Sequence, residues 1–382
     1  MGAHSKVGAS SMERWRNCPG SVRMCEPLES KAGYAAAEGS VAHYICETML
    51  NGGQPPKVGT VIVHEGFDVP VDKAMLDFCR EYKVIVDDLA GRKAVRHVEH
   101  KFHIAKLHDA LFGTADCVIW HDGSQHLDVI DFKYGAGIAV EAQDNVQLLY
   151  YAVGAMMTLG YNAKTVSVHV IQPRCEHPEG PHRTAEYSAL DILDFAADML
   201  EAVKATEDPD APLNPGPWCR KSFCPAAAIC PAQKELATEA AKRTFAAGSP
   251  YDAEELAQTL DWLPILEGWI KSVREFAYEE AERGQCPPRY KLVEKRASER
   301  WSPDATPEAV AKAFGLALAD ILKEPSLNTP AQVRKLVPGK NDKERRAALA
   351  AFTVSESSGH TLVHEDDKRP SVASASDVFA NA

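Results

Sequence analysis

The chain has 382 residues, 45% of them hydrophobic and 25% charged, with a formal net charge of −12. This is the composition of a globular protein with a sizeable core, and no apolar run approaches the roughly 20 residues needed to cross a bilayer. The acidic balance excludes a chain coated in basic surface, yet a site for divalent cations must itself be acidic, so nucleic acid stays open as a partner.

The opening stretch, MGAHSKVGASSMERWRNCPGS, lacks the apolar core of a signal peptide, so a cytoplasmic protein without a membrane partner is expected. Residues 35–51 and 71–90 carry helical apolar spacing. Residues 95–104, 111–120 and 126–133 read as strands, and the Asp-Gly of HDGSQ joins the last two as a hairpin. A helix from about 141 to 159, a strand over 165–172 and a helix over 189–206 complete the pattern. Past Ser249-Pro250, Asp252 and Glu255 form a capping box for a long amphipathic helix that stops at Gly284. Shorter helices are predicted at 307–323, 330–337 and 342–352, and the small, polar end reads as disordered. The fold class is therefore α/β, with a core over 1–240, a mainly helical region over 250–365 and a tail over 366–382. No G-x-x-x-x-G-K-[ST] stretch marks a P-loop motor. Arg174, Arg220 and Lys221, and the run from Arg334 to Arg346, are candidate basic patches, though solvated helix faces account for the second group as well.

The centre of the chain, GTADCVIWHDGSQHLDVIDFKYG, places acids on strands otherwise built for burial. Residues two apart on a strand share a face, so Asp131 and Lys133 project together with Val129, while Ile130 and Phe132 pack behind. Asp116, on the neighbouring strand, can reach the same side. Such carboxylates, with the backbone carbonyl of Phe132, can hold Mg²⁺ or Mn²⁺ through hard oxygen ligands. Metal bound there would lower the pKa of a water and neutralise charge on a phosphodiester, and Lys133 would position the water or stabilise the developing charge. Each piece alone is ordinary, since a lone D-x-K is usually a surface ion pair; the order of the pieces carries the signal.

GTAD followed by VIDFK resembles the signature of the PD-(D/E)XK nuclease superfamily, with Asp116 and Asp131 as the acids and Lys133 as the lysine. That resemblance implies an αβββαβ core, the element order read above. Thr114-Ala115 stand where the name has a proline. Gln147 and Tyr151, four apart and so on one helix face, resemble the Q-x-x-x-Y motif of the RecB-like branch. His43 in AAEGSVAHYICE is similar to that branch's metal-ligating histidine, and Glu47, one turn on, is a candidate to orient it. Glu99, in HVEHKFH, is a further candidate ligand, although a solvated strand face explains that alternation equally well.

Ten cysteines in a reducing compartment are not a disulfide framework. Cys46, Cys79 and Cys117 sit in apolar stretches as small core residues. Cys219, Cys224 and Cys230 differ: their C-x4-C-x5-C spacing lacks one thiolate for a metal centre, and Cys18, in another Cys-Pro pair, is the best candidate, with Cys25 its rival. One N-terminal cysteine plus a C-terminal triplet around such a core resembles the iron–sulfur nucleases, among them CRISPR-associated exonucleases. The resemblance implies a [4Fe–4S] cluster on Cys18, Cys219, Cys224 and Cys230 that staples the two ends of the domain. The usual triplet is C-x2-C-x5-C, and the longer first spacing leaves zinc open.

CPGS, AAEGSVAH, the central motif, the cysteine triplet, YKLVEKRASER and GHTLVHEDDKRPSV together resemble a phage and prophage family with RecB-like cores. This implies a Mg²⁺- or Mn²⁺-dependent DNA exonuclease acting on single strands or duplex ends in phage replication or recombination. A phage single-strand-binding, annealing or helicase protein is the implied partner. The rival is a catalytically inactive DNA-binding accessory on the same fold.

Overall fold

The computed structural model describes residues 5–28, 33–246 and 253–291, together with 343, 344 and 347. The chain divides into two compact units, Met1–Arg296 and Ala297–Ala382. Asp252, the helices expected at 307–323 and 330–337, nearly all of 342–352 and the tail lie outside the described residues.

In chain order the first unit contains α1 (Met12–Asn17), α2 (Gly20–Cys25), α3 (Tyr34–Leu50), β1 (Val61–His64), β2 (Phe67–Pro70), α4 (Lys73–Ala90), β3 (Val95–His103), β4 (Phe112–His121), β5 (His126–Phe132), α5 (Val146–Leu159), β6 (Thr165–Ile171), β7 (His182–Ser188), α6 (Ala189–Glu207), α7 (Pro217–Lys221), α8 (Pro231–Ala246) and α9 (Ala253–Glu282). The architecture is mixed α/β. β1 and β2 form a hairpin, and β3-β4-β5-β6-β7 form a five-stranded sheet in that order. β5 and β6 are parallel and every other neighbouring pair is antiparallel. A parallel pair needs a crossover, and α5 supplies it.

The sheet is buried on both faces. Ala115, Val118, Val129 and Val168 pack under α5, α6 and α1, where Trp15 is fully buried. Cys117, Ile119, Ile130 and Phe132 pack under α3 and α4. Burying each such aliphatic or aromatic side chain stabilises the fold by about 1.5–3 kcal/mol, which holds the strand ends in place against the cost of the acids among them.

Local chemistry sets the helix starts. The Asp72 carboxylate accepts from Met75 N at the start of α4, and Ser188 with Asp191 closes a capping box on α6. The helix expected from 141 begins instead at Val146, because the Asn145 side chain accepts from Gln147 N and Leu148 N and so fixes the N-terminus there. Residues 134–145 form a loop fastened from below. Gln172 donates to the Gly135 and Ile138 carbonyls, and Arg183 donates to that of Val140. The β4–β5 turn also differs from the expected Asp-Gly type: it spans residues 122–125, and its left-handed residue is Gln125, φ 53°. β1, β2 and β7 were not expected, since VIVH, FDVP and HRTAEYS are short or polar. α9, predicted to open a C-terminal domain, packs on α8 within the first unit and carries Pro264 in its interior. Among the described residues no helix is long and apolar enough to cross a membrane.

Candidate active site

The site starts from a fault in one strand pair. β3 and β4 keep one register from Val95↔Trp120 to His103↔Phe112, but Glu99 and Asp116, which face each other, drop out of the ladder. Glu99 takes φ 49°, a left-handed conformation that costs a non-glycine residue about 1–2 kcal/mol. Alternation breaks at the same point. Ala115 and Val118, three apart, both face α5, and Val98 and Glu99, adjacent in sequence, line one cavity beside α3. Both acids thereby reach the α3 side of the sheet.

A second opening lies between β4 and β5. Their pairing stops at Cys117↔Ile130, and beyond it Asp116 Oδ2 accepts the Phe132 N–H at 2.8 Å, in place of a ladder carbonyl. β5 stays zipped to β6, with Lys133 N donating to Ile171 O at 2.9 Å. The Phe132 ring packs edge-on to His43, with centroids 5.5 Å apart.

Asp131 and Lys133 meet α5 here. Lys133 Nζ donates to Asp131 Oδ1 at 3.2 Å and to Gln147 Oε1 at 3.0 Å. Gln147 Nε2 donates in turn to Asp131 Oδ1 at 3.1 Å and to the Tyr151 hydroxyl at 2.9 Å. Burial would lower Lys133, but the charges of Asp131 and Asp116 outweigh it, so its pKa is raised and the ammonium is kept. Asp131 Oδ2 is buried and lies 3.0 Å from Lys133 Nζ, yet accepts no hydrogen bond in good geometry.

His43 approaches from the other side, its Nδ1 3.4 Å from Asp116 Oδ2. One ligand atom each from His43, Glu99 and Asp116 lies within 4.8 Å of the others. Burial works against the imidazolium, and the charges of Asp116, Asp131 and Glu99 override it, pushing His43 up to about 9. Burial first, then the charge of Asp116, pushes Glu99 up to about 7, with Glu47 adding to the repulsion. Glu47 was expected to orient His43. It lines the same cavity as His43 and Glu99, and the ion-pair contact of the imidazole is to Asp116. Three carboxylates, one of them Asp131 with a buried oxygen that accepts no hydrogen bond, and an imidazole are the donor set of a hard divalent cation, so the residues present fit Mg²⁺ or Mn²⁺.

The four predicted cysteines come together elsewhere. Cys18, Cys219, Cys224 and Cys230 line one partly open cavity, with Arg14 and Gln233 among its other walls. Asn214 N donates to Cys18 Sγ at 3.2 Å and Gly216 N to Cys219 Sγ at 3.5 Å, bonds that a thiolate strengthens. Cys25, its sulfur 3.9 Å from that of Cys224, is not among the residues that line the cavity. Gly20 makes this junction possible: a Cβ there would sit 2.5 Å from the Ala211 carbonyl oxygen.

Sequence reading missed two polar networks. Asp128, buried in β5, takes contacts from His121 at 2.7 Å and from His126 and His169 at 3.0 Å. Those histidines lie on different strands, and no short motif joins them. Arg174 is committed to Glu38 at 2.7 Å and lies over the Tyr134 ring, at 4.3 Å; Arg220 and Lys221 are exposed on α7. The model of a family described as "Protein of unknown function (DUF2800)" matches residues 4–370, so the chain belongs to that family.

Proposed function

We propose that this DUF2800 protein is a divalent-metal-dependent deoxyribonuclease with a RecB-like PD-(D/E)XK core, acting on single-stranded or end-exposed DNA in phage replication or recombination. The observation that carries the reading is the convergence of Asp116, Glu99 and His43 from three elements beside the Asp131–Lys133–Gln147 network. A structural ion pair needs one acid and one base. Here three buried or half-buried acids share the site with one lysine and one histidine, and Glu99 adopts a left-handed backbone at φ 49°.

Asp116, Asp131, Glu99 and His43, with the Phe132 carbonyl, would hold Mg²⁺ or Mn²⁺. Bound there, the ion would supply an activated water and neutralise charge on the scissile phosphodiester. Lys133 keeps its proton at Nζ and aims it by bonding to Asp131 and Gln147, so it can donate to the attacking water or to a phosphate oxygen. Gln147 fixes that ammonium and is itself fixed by Tyr151. The four cysteines would carry a [4Fe–4S] cluster, with zinc as the alternative, in a structural role. A helicase, annealing or single-strand-binding partner would supply its substrate.

The test is Mn²⁺-dependent degradation of end-labelled single-stranded and duplex DNA by protein purified without oxygen, comparing wild type with Lys133→Ala. Cleavage by the wild type that falls at least about a hundredfold in the variant is the expected result. DNA binding without cleavage by the wild type would replace this reading with that of a scaffold.

A further inference from the structure

The wall of the cysteine cavity contains a cation, Arg14. Arg14, on α1, is only 8% exposed, and its Nε is buried without a hydrogen-bond partner. Among the described residues it forms no ion pair with any carboxylate. A buried charge left alone is among the most costly features a fold can carry, and proteins keep one only where an opposite charge meets it. The groups that share its cavity are Cys18, Cys219, Cys224 and Cys230. Gln233, also on that wall, likewise has a buried side-chain oxygen without a partner.

Four thiolates around a doubly positive metal core leave two negative charges, whether the core is zinc or iron–sulfur. The backbone N–H groups of Asn214 and Gly216 already donate to two of the sulfurs. These dipoles soften the charge but bring no opposite unit charge of their own.

We propose that Arg14 is the counter-cation of the cysteine centre, its guanidinium facing the thiolate sulfurs and offsetting part of the negative charge that metal binding leaves there. Resting on the metal–thiolate reading above, the assignment gives Arg14 a positioning role outside the ligand set. It also explains why α1, which carries Arg14, leads directly into Cys18.

The assignment has an unusual signature. In the metal-loaded protein Arg14 is compensated, and in the stripped protein it is not. Full-length wild type, Arg14→Gln and Arg14→Lys would be purified without oxygen, assayed for iron and zinc per chain, and challenged with a chelator. The thermal midpoint of each would be measured before and after stripping. Arg14→Gln is expected to release metal about tenfold faster than wild type, Arg14→Lys to stay within about threefold, and the stripped Arg14→Gln protein to melt above stripped wild type. Equal release rates in all three proteins, or a Gln variant that melts lower with and without metal alike, would overturn the assignment while leaving the cysteine centre standing. If the stripped chains prove unfolded, the release rates and the lysine rescue decide the matter. Wild type that carries no metal would remove the cysteine centre and this role together.

Discussion

Glu99 and Asp116 face each other across β3 and β4 at a position where the ladder between those strands is left unmade, and both turn toward His43 on α3. The unmade pair and the left-handed Glu99 are two sides of one distortion, which brings a third acid to the site.

Glu99→Gln should therefore weaken Mn²⁺ binding by about tenfold or more, because it removes a charged ligand while keeping the shape. Glu47→Gln, which changes a neighbour of Glu99 across the cavity, should weaken it less. Calorimetric titration of Mn²⁺ into both variants checks this; unchanged affinity in Glu99→Gln would return that residue to the status of a strand-face acid.

Gln147 holds Lys133, Asp131 and Tyr151 at once. Gln147→Ala is expected to lower the cleavage rate by about 10–100-fold, with a smaller loss of Mn²⁺ affinity, because it frees the lysine and removes one hydrogen bond to Asp131 but leaves His43, Glu99 and Asp116 untouched. Tyr151→Phe, which removes only the support of that glutamine, should cost less than about fivefold. Single-turnover cleavage beside metal titration separates the two effects.

Cys18 and Cys25 make opposite predictions. Cys18 lines the cavity, whereas Cys25 does not and has its sulfur 3.9 Å from that of Cys224. Cys18→Ser should abolish bound metal, while Cys25→Ser should retain it in full. Metal analysis of anaerobically purified variants decides, and the reverse pattern would make Cys25 the N-terminal ligand.

Asp128 gives a pH signature. Burial opposes its charge, but hydrogen bonds from His169 and His121 and the charge of His126 prevail and hold it below the ordinary carboxylate range. A depressed acid stabilises the fold above its unfolded pKa, about 3.9, and that contribution is lost as pH falls through the lower folded value. Asp128→Asn should thus cost about 2 kcal/mol at pH 7, and the difference from wild type should shrink as pH falls below about 4. Denaturant midpoints across that range test it; a difference independent of pH would assign the effect to packing instead.

Much of the sheet could be read from alternation and turn residues, because Val129, Ile130 and Phe132 obey the two-residue period that burial enforces. Asp131 and Lys133 were legible for the same reason. Glu99 was legible only as one of two alternatives, ligand or solvated strand face, because its side chain joins Val98 on one face through a break in period that nothing in HVEHKFH announces. The helix start at 146 was misjudged because Glu141 and Ala142 look helical, whereas the contacts that hold that loop come from Gln172 and Arg183, tens of residues away. The Asp128 histidines failed to register for a related reason, being adjacent only once β4, β5 and β6 lie side by side.

The seat of α1 and α2 has a further consequence, for the timing of synthesis. Gly20 N bonds Pro212 O, Arg16 meets Asp198, Asn17 and Cys18 meet Asn214, and Cys25 meets Cys224. At about 5–20 residues per second, some 10–40 s pass between translation of the first of these segments and the arrival of the second. Throughout that wait Met12 and Trp15, both fully buried in the finished protein, have no complete surface to bury against. The turn around Cys18 is thus translated long before its partners and settles only after they emerge.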